Sequence, residues 1–413
     1  MAQSSRSEPK LQRIHRPIAE QIVSALYQCF ADGYYADKVI ERLFKNNRLL
    51  GSRDRKFIAE TVYGCVRWWR QLWFCLGEEP SDNPAAYWRI FGTWLIREGM
   101  PLPPWAELSG LDEERIRRCA HGTFNSPAIA QSFPDWLYKI GNDQIGPAWA
   151  AQVLPALNRQ APAVLRANRL KTTRDDLAQL LRQEGIETRI APNAPDGLIL
   201  KEKKNVFATR AFRAGFFELQ DGSSQQIAPL LGAQPGERVI DACAGAGGKT
   251  LHLAALMKNK GKIIAMDVSE KKLEELRRRC TRAGVDIVET KLIEGSKTIK
   301  RLADSADRVL LDVPCTGVGV IRRNPDTKWK LKPEDMERLR GIQSEILASY
   351  PEMVKKGGRL VYATCSILPS ENTLAVQEFL RERGEHWRLA EERQFFPGQD
   401  DYDGFYAAAI DRV

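Results

Sequence analysis

The feature that most constrains the fold is an alternation of short apolar runs and amphipathic stretches that begins near residue 236. The apolar runs, among them ERVIDA, KIIAMDV and ADRVLLDV, are rich in Val, Ile and Leu along their whole length. Strands that helices cover on both faces have this composition, whereas half-exposed strands alternate apolar and polar residues. The alternation therefore predicts a doubly wound parallel sheet, an α/β fold, over residues 223–413.

Two other patterns precede the sheet. Between residues 16 and 76 the apolar residues recur at helical spacing, which predicts an all-helical domain within residues 1–145. Within residues 155–222, strand-like runs flank the capped helix TRDDLAQLLRQEG, which predicts a small α+β module. Aromatic side chains within an amphipathic helix usually face inward. Four are therefore predicted to pack in a core or between domains rather than to stack on bases: Trp68, Trp69, Trp73 and Phe74.

Composition and charge narrow the class of protein. The chain has a net charge of +9, and its excess of Lys and Arg within residues 1–70 favours nucleic acid as the partner. We expect no membrane segment and no secretory signal, hence a cytoplasmic protein. Eight cysteines without a CxxC pair, and only four histidines, predict neither a zinc site nor disulfides, so we expect no metal and reduced thiols.

A glycine-rich loop follows the first apolar run, in the sequence Asp241-ACAGAGGKT. Asp267 ends the next run, 22 residues after Gly245, where a carboxylate can accept hydrogen bonds from ribose hydroxyls. Together these features predict a nucleotide-like cofactor beyond the carboxyl ends of the strands. The GGKT segment also resembles a phosphate-binding loop, but Cys243 stands where that loop needs its first glycine, which disfavours an NTPase.

Two cysteines end strands of the same predicted sheet: Cys315 follows VLLDVP, and Cys365 follows RLVYAT. A single strand cysteine is usually a packing residue, but two at one rim beside a nucleoside loop indicate chemistry. Methylation of carbon 5 of a pyrimidine uses a thiolate, which adds to carbon 6 and makes carbon 5 nucleophilic. Asp312 is placed to contact the polar edge of the base. An amine methyltransferase is disfavoured because DVPCTG carries no aromatic residue to hold an amine.

The segments DACAGAGGKT, LLDVPCTGVGVIRRNPDTKW, YATCSILPSEN and DGFYAAAI resemble motifs of the Nop/Sun (RsmB/NOP) family of RNA cytosine-5 methyltransferases, in particular its bacterial 16S ribosomal RNA branch. The resemblance implies a Rossmann-like domain that uses S-adenosylmethionine. The segment SRDRKFIAETVYGCVRWW resembles the NusB-like helical domain of this branch, and residues 155–222 resemble its RNA-recognition-like (RRM-like) subdomain. A monomer that acts on ribosomal RNA is therefore expected.

The resemblance also implies a role for each site residue. Cys365 attacks the cytosine, Cys315 assists release of the product, Asp312 contacts both base and cofactor, and Asp267 binds the ribose. The remaining cofactor-binding residues are Cys243, Ala244, Gly245, Ala246, Gly247, Gly248 and Lys249. The family usually has proline in place of Ala246 and an adenine-binding aspartate in place of Ser296.

Several alternatives stay open at this point. A DNA cytosine methyltransferase would use Cys315 as the nucleophile, a non-catalytic RNA-binding protein would need neither thiol, and transfer RNA is an alternative substrate. A basic stretch follows Cys315 and could grip RNA phosphate, although a plain solvated loop has the same composition. Its members are Arg322, Arg323, Lys328, Lys330 and Lys332.

Overall fold

The structure is a computed structural model that describes residues 14–413. Its helices are α1 Arg16–Phe30, α2 Ala36–Asn46, α3 Ser52–Leu76, α4 Pro84–Arg97, α5 Glu113–Ala120, α6 Pro127–Ala130, α7 Asp135–Ile145, α8 Leu154–Asn158, α9 Arg174–Gln183, α10 Arg210–Arg213, α11 Gly222–Gln225, α12 Ile227–Leu231, α13 Gly248–Leu256, α14 Glu270–Ala283, α15 Ser296–Lys300, α16 Thr327–Lys330, α17 Pro333–Ser349 and α18 Thr373–Arg383. Its strands are β1 Val164–Ala167, β2 Thr188–Ile190, β3 Gly197–Leu200, β4 Phe217–Leu219, β5 Arg238–Asp241, β6 Lys262–Asp267, β7 Val288–Leu292, β8 Ala306–Asp312, β9 Val354–Thr364, β10 Trp387–Phe395 and β11 Phe405–Arg412. The chain divides into two compact units, one ending at Asn142 but including Asn324–Lys330, and one formed by the rest.

The first unit is helical, as its apolar periodicity predicted. Helix α3 ends at Gly77, whose φ of +70° lies in the left-handed region where a side chain is disfavoured. Trp69 and Trp73 are buried and Trp68 is partly buried, which confirms their predicted packing role. The prediction is wrong for Phe74, which is 53% exposed.

The short segment Asn324–Lys330 belongs to this helical unit although it is distant in sequence. The buried Lys328 ammonium donates hydrogen bonds to the carbonyls of Arg67, at 2.8 Å, and Ser132, at 3.0 Å. The Trp329 indole donates to the Val66 carbonyl at 2.7 Å. Lys328 is therefore a buried structural residue, and its predicted phosphate contact is wrong.

The two arginines of the same basic stretch lie in the second unit and are engaged in ion pairs. Arg322 is fully buried and lies 3.0 Å from a carboxylate oxygen of Asp401. Arg323 pairs with Asp221 at 2.9 Å and also with Asp403. Because Arg322 is fully buried and paired, the phosphate contact considered for it is wrong, whereas that of the partly exposed Arg323 stays a prediction.

Two cysteines of the helical unit form a disulfide, contrary to the expectation of reduced thiols throughout. Cys75 near the end of α3 and Cys119 near the end of α5 are joined, with their Cα atoms 5.4 Å apart. They are 44 residues apart in sequence, and the packing of α5 against α3 brings them together. The spacing of the cysteines carried no sign of this contact.

The second unit contains two sheets. The smaller one is antiparallel, with strand order β2-β3-β1-β4, and it confirms the predicted α+β module. Helix α9 packs beside it and is capped by Thr173, whose side chain accepts a hydrogen bond from the Asp176 amide.

The larger sheet has the order β10-β11-β9-β8-β5-β6-β7. Strands β5 to β9 pair in parallel, and β5, β8 and β9 form its apolar centre. The prediction of a parallel sheet is wrong at one edge, where β11 pairs antiparallel with both β9 and β10. The predicted α/β class is confirmed.

No helix within residues 14–413 is long and apolar enough to cross a membrane.

Candidate active site

The site lies where the strands of the larger sheet end. From β5 the chain continues to β6 and β7 on one side of β5, and then returns to β8 on its other side. The direction in which successive strands are added to the sheet therefore reverses between β5 and β8. Ligands bind outside the carboxyl ends of strands at such a reversal. A cavity of about 730 Å³ opens there, and Cys243, Gly245, Asp267 and Asp312 line it. Its volume is typical of a site for a nucleotide-sized molecule.

The glycine loop passes between β5 and α13 in a conformation that needs two of its glycines. Gly245 has φ of +54° and Gly247 has φ of +88°, both in the left-handed region. A β-carbon on Gly247 would clash with the buried side chain of Leu276 in α14. On Gly245 it would meet no atom within 4 Å, so this glycine leaves the cavity wall open.

Asp267 holds the same loop from the end of β6. Its carboxylate accepts hydrogen bonds from the backbone amides of Gly245 and Ser269, each at 2.9 Å. Asp267 also lines the cavity. The residue that sequence reasoning assigned to the ribose is therefore positioned by the glycine loop itself.

Two arginines that sequence reasoning missed hold the carbonyl groups of the loop. Arg166 of β1, which is 3% exposed, donates to the Gly248 carbonyl at 2.8 Å. Arg279 of α14 donates to the Ala246 carbonyl at 2.6 Å and pairs with Glu218 of β4 at 2.9 Å. The small sheet thus supports the loop through β1 and β4. The one available signal was an arginine inside the apolar run that forms β1.

The two strand-end cysteines meet. Strands β8 and β9 are parallel neighbours, with Asp312 opposite Ala363, so residues just beyond their ends converge. The Cys315 and Cys365 sulfur atoms are 3.3 Å apart, and both side chains are partly exposed. The hydrogen bond with Cys365, together with burial, raises the pKa of Cys315 well above its usual value, so Cys315 remains a neutral thiol.

A partly buried ion pair lies at the end of β8. The Lys249 ammonium is 2.5 Å from an oxygen of Asp312. Burial opposes the charge of Lys249, but the Asp312 carboxylate and its hydrogen bond outweigh burial and raise the pKa of Lys249, with a further contribution from Cys365. Sequence reasoning selected Lys249 and Asp312 separately, and their pairing depends on the fold.

Comparisons with known proteins agree with this geometry. A family model described as 16S rRNA methyltransferase RsmB/F matches residues 228–411, and one described as an RsmF/B-like ferredoxin-like domain matches residues 133–207. A ribosomal RNA small subunit methyltransferase B of Serratia proteamaculans is 37% identical, over 94% of this chain and 96% of the relative. That of Yersinia enterocolitica is 30% identical, over 96% and 98%.

The chain belongs to the RsmB/F family of ribosomal RNA methyltransferases. The solved structure of PH0851 has the same fold, with a TM-score of 0.83 and 23% identity over 98% of this chain and 100% of that one. This RsmB/F protein is therefore an enzyme that uses S-adenosylmethionine to methylate RNA.

The cavity suits that cofactor. Its wall combines an open glycine, Gly245, with a buried carboxylate, Asp267, and with the apolar side chains of Ile293 and Ile342. This is the combination that a nucleoside with a polar ribose and an apolar base face requires. Asp312 and Pro314, which precede Cys315 in the chain, also line the cavity.

Of the remaining predicted cofactor residues of the RsmB/F site, Cys243 lines the cavity, whereas the wall does not include Ala244, Ala246, Gly247, Gly248 or Lys249. Burial raises the pKa of the Cys243 thiol well above the usual value, so it is a neutral packing residue. Ala244 is buried and donates its amide to the Met266 carbonyl at 2.8 Å. Ser296 also lines the cavity. Over the described range 14–413, no cluster of three or more His, Cys, Asp or Glu residues could hold a metal ion.

Proposed function

We propose that this RsmB/F enzyme methylates carbon 5 of a cytosine in small-subunit ribosomal RNA through a covalent bond from Cys365 to the base. The observation that carries the proposal is the 3.3 Å approach of the Cys315 and Cys365 sulfur atoms, with Cys315 directly following Pro314, which lines the cofactor cavity. Carbon 5 of cytosine is too weak a nucleophile to attack a methyl sulfonium unaided. A thiolate that adds to carbon 6 removes this obstacle, because the electrons of the C5–C6 double bond then become available at carbon 5.

Asp312, with its partner Lys249, supports recognition of the cytosine. Asp312 holds the ammonium of Lys249 at 2.5 Å and keeps it charged despite burial. Asp312 is also partly exposed at the cavity edge, where its free oxygen can accept a hydrogen bond from the amino group of the cytosine. Bound S-adenosylmethionine supplies the methyl group.

Cys315 supports release of the product. Once a base removes the proton from carbon 5, the C5–C6 double bond re-forms and the bond from carbon 6 to the Cys365 sulfur breaks. The departing thiolate needs a hydrogen-bond donor. Cys315 is a neutral thiol 3.3 Å from that sulfur, so it can donate to the leaving group.

The covalent step is tested with RNA that contains 5-fluorocytosine, from which the fluorine cannot leave as a proton. With S-adenosylmethionine present, the enzyme should form a complex that survives denaturing electrophoresis. Cys365→Ala should abolish the complex, whereas Cys315→Ala should still form it. Cys280→Ala, at a buried free cysteine of α14, is the matched control and should behave as the parent. Loss of the complex in Cys315→Ala but not in Cys365→Ala would instead assign Cys315 as the nucleophile.

The choice of RNA is supported by the relatives, which are named small subunit methyltransferases, and by the basic net charge of +9. Transcripts of 16S ribosomal RNA should accept tritiated methyl groups, and digestion to nucleosides should recover the label as 5-methylcytidine. Equal labelling of transfer RNA transcripts, or label recovered in any other nucleoside, would contradict this assignment.

A further inference from the structure

Glu371 is a fully buried carboxylate behind the two thiols, in the loop between β9 and α18. One carboxylate oxygen accepts hydrogen bonds from the Thr316 amide at 2.9 Å and from the Gln343 side-chain amide at 3.0 Å. The other accepts the hydroxyl hydrogen of Thr316. Thr316 directly follows Cys315, so two of the three hydrogen bonds to Glu371 constrain the loop that carries that thiol.

Gln343 extends this constraint to the other side of Cys315. Its side-chain amide also donates to the Pro314 carbonyl at 2.9 Å. Pro314 and Thr316 flank Cys315, so both neighbours of the thiol are held, directly or through Gln343, by Glu371. A buried carboxylate is costly unless several donors satisfy it, and here those donors come from the Cys315 loop and from α17.

Asn372 holds both neighbours of Cys365 by hydrogen bonds, as Glu371 and Gln343 hold both neighbours of Cys315. Its side-chain oxygen accepts the hydroxyl hydrogen of Thr364 at 2.6 Å, and its side-chain nitrogen donates to the Ser366 carbonyl at 3.1 Å. Thr364 and Ser366 flank Cys365. Asn372 immediately precedes α18, a position where asparagine usually caps the helix, but its side chain forms no cap hydrogen bond. It is committed to the Cys365 loop instead.

We propose that Glu371 and Asn372 are positioning residues for the two thiols, Glu371 for Cys315 and Asn372 for Cys365. Because the two residues are adjacent in the chain, they tie both loops to one short segment and fix the distance between the sulfur atoms. This inference rests on the proposed function. It assigns different kinetic steps to two neighbouring residues: Asn372 to formation of the adduct and Glu371 to its breakdown.

The test measures these two steps separately. Adduct formation is followed with 5-fluorocytosine RNA, and breakdown is followed as the amount of covalent complex on ordinary cytosine RNA during turnover. Glu371→Gln puts an amide nitrogen among groups that are already donors. It should therefore accumulate complex on ordinary RNA at least about 10-fold over the parent, as Cys315→Ala does, with the formation rate within about 2-fold. Asn372→Ala should slow formation at least about 10-fold and accumulate no complex.

Glu378→Gln is the matched control, since this glutamate of α18 has a side chain that is 61% exposed. It should match the parent in both steps. Thr316→Val removes the hydroxyl bond to Glu371, together with a 3.4 Å contact of that hydroxyl with the Ser366 hydroxyl, and leaves the amide bond to Glu371 in place. It should show the Glu371→Gln pattern at smaller amplitude, and it covers the case in which Glu371→Gln fails to fold. A merely structural role would lower both steps together.

The outcomes separate the two proposals. If Cys365→Ala still forms the complex, or the parent forms none, the proposed function fails. If Cys365 and Cys315 behave as proposed, two results overturn the positioning role. One is breakdown at the parent rate in a folded Glu371→Gln or Thr316→Val enzyme, and the other is equal slowing of both steps in the Glu371 and Asn372 variants.

Discussion

Gly247 provides a sharp test of the glycine loop, because two separate physical effects oppose a side chain there. Its φ of +88° places it in the left-handed region, where an L-residue costs about 1–2 kcal/mol. A β-carbon would also clash with Leu276, which is fully buried, and overpacking of a core costs about 1–3 kcal/mol. Gly247→Ala should therefore lower the free energy of unfolding by about 2–5 kcal/mol.

Thermal unfolding with and without S-adenosylhomocysteine identifies the transition of the domain that binds the cofactor, because a ligand of the folded state raises its midpoint. In a domain of about 150–250 residues, each kcal/mol lost from the free energy of unfolding lowers the midpoint by about 2–4 °C. Gly248→Ala is the matched control. Its β-carbon would meet no atom within 4 Å and its φ is not positive, so the midpoint should stay within about 2 °C of the parent.

A double substitution separates the two effects. In a Leu276→Ala background the clash is gone, so adding Gly247→Ala should cost only the backbone strain, about 1–2 kcal/mol. The reasoning would be refuted if Gly247→Ala unfolded with the same midpoint as Gly248→Ala. It would also be refuted if the cost of Gly247→Ala were the same with and without Leu276.

Three further predictions concern the site. Arg279→Gln removes the charged donor to the Ala246 carbonyl and should weaken S-adenosylhomocysteine binding about 10-fold by calorimetry, since such bonds contribute about 1.5–3 kcal/mol. Arg278→Gln, at a side chain that is 70% exposed, should leave S-adenosylhomocysteine binding unchanged. Burial raises the pKa of Asp241 from 3.8 to about 7, so its contribution to stability is full below pH 3.8 and is lost as the pH rises towards 7. Asp241→Asn should therefore gain stability relative to the parent across that range in urea titrations, and a constant difference would contradict the raised pKa. Mild peroxide should join Cys315 and Cys365, whose sulfurs are 3.3 Å apart, and abolish methylation until dithiothreitol is added; mass spectrometry that finds both thiols free in the inactivated enzyme would exclude this.

The elements with a strong internal pattern could be predicted from the sequence. Apolar runs of Val, Ile and Leu predicted the central strands, and helical spacing predicted the amino-terminal helices. The antiparallel edge could not be predicted in this way. Strand β10 is largely exposed and charged, and β11 is rich in alanine, so neither shows whether its neighbour runs parallel or antiparallel. That orientation depends on which strand each one pairs with.

The local pattern of charge predicted side-chain contacts less well than apolar periodicity predicted helices and strands. Arg322, Arg323 and Lys328 form part of a basic stretch that predicted a phosphate contact, yet each is committed to carboxylates or carbonyl groups within the fold. The partners of Arg322 and Arg323 include Asp401 and Asp221, which are about 80 and 100 residues away in sequence. A local count of charges does not include partners so distant in the chain.

The sequence by itself determined the chemical groups of this enzyme and the ends of the strands that carry them: the glycine loop, Asp267, Asp312 and the two cysteines. The type of each of these residues, and its position after an apolar run, can be seen from residues that are neighbours in the chain. Only the tertiary structure decided which groups meet. The pairing of Lys249 with Asp312 and the contact of Cys315 with Cys365 depend on the adjacency of strands 50 or more residues apart. Such adjacency results from burial of the whole sheet, which no local pattern encodes.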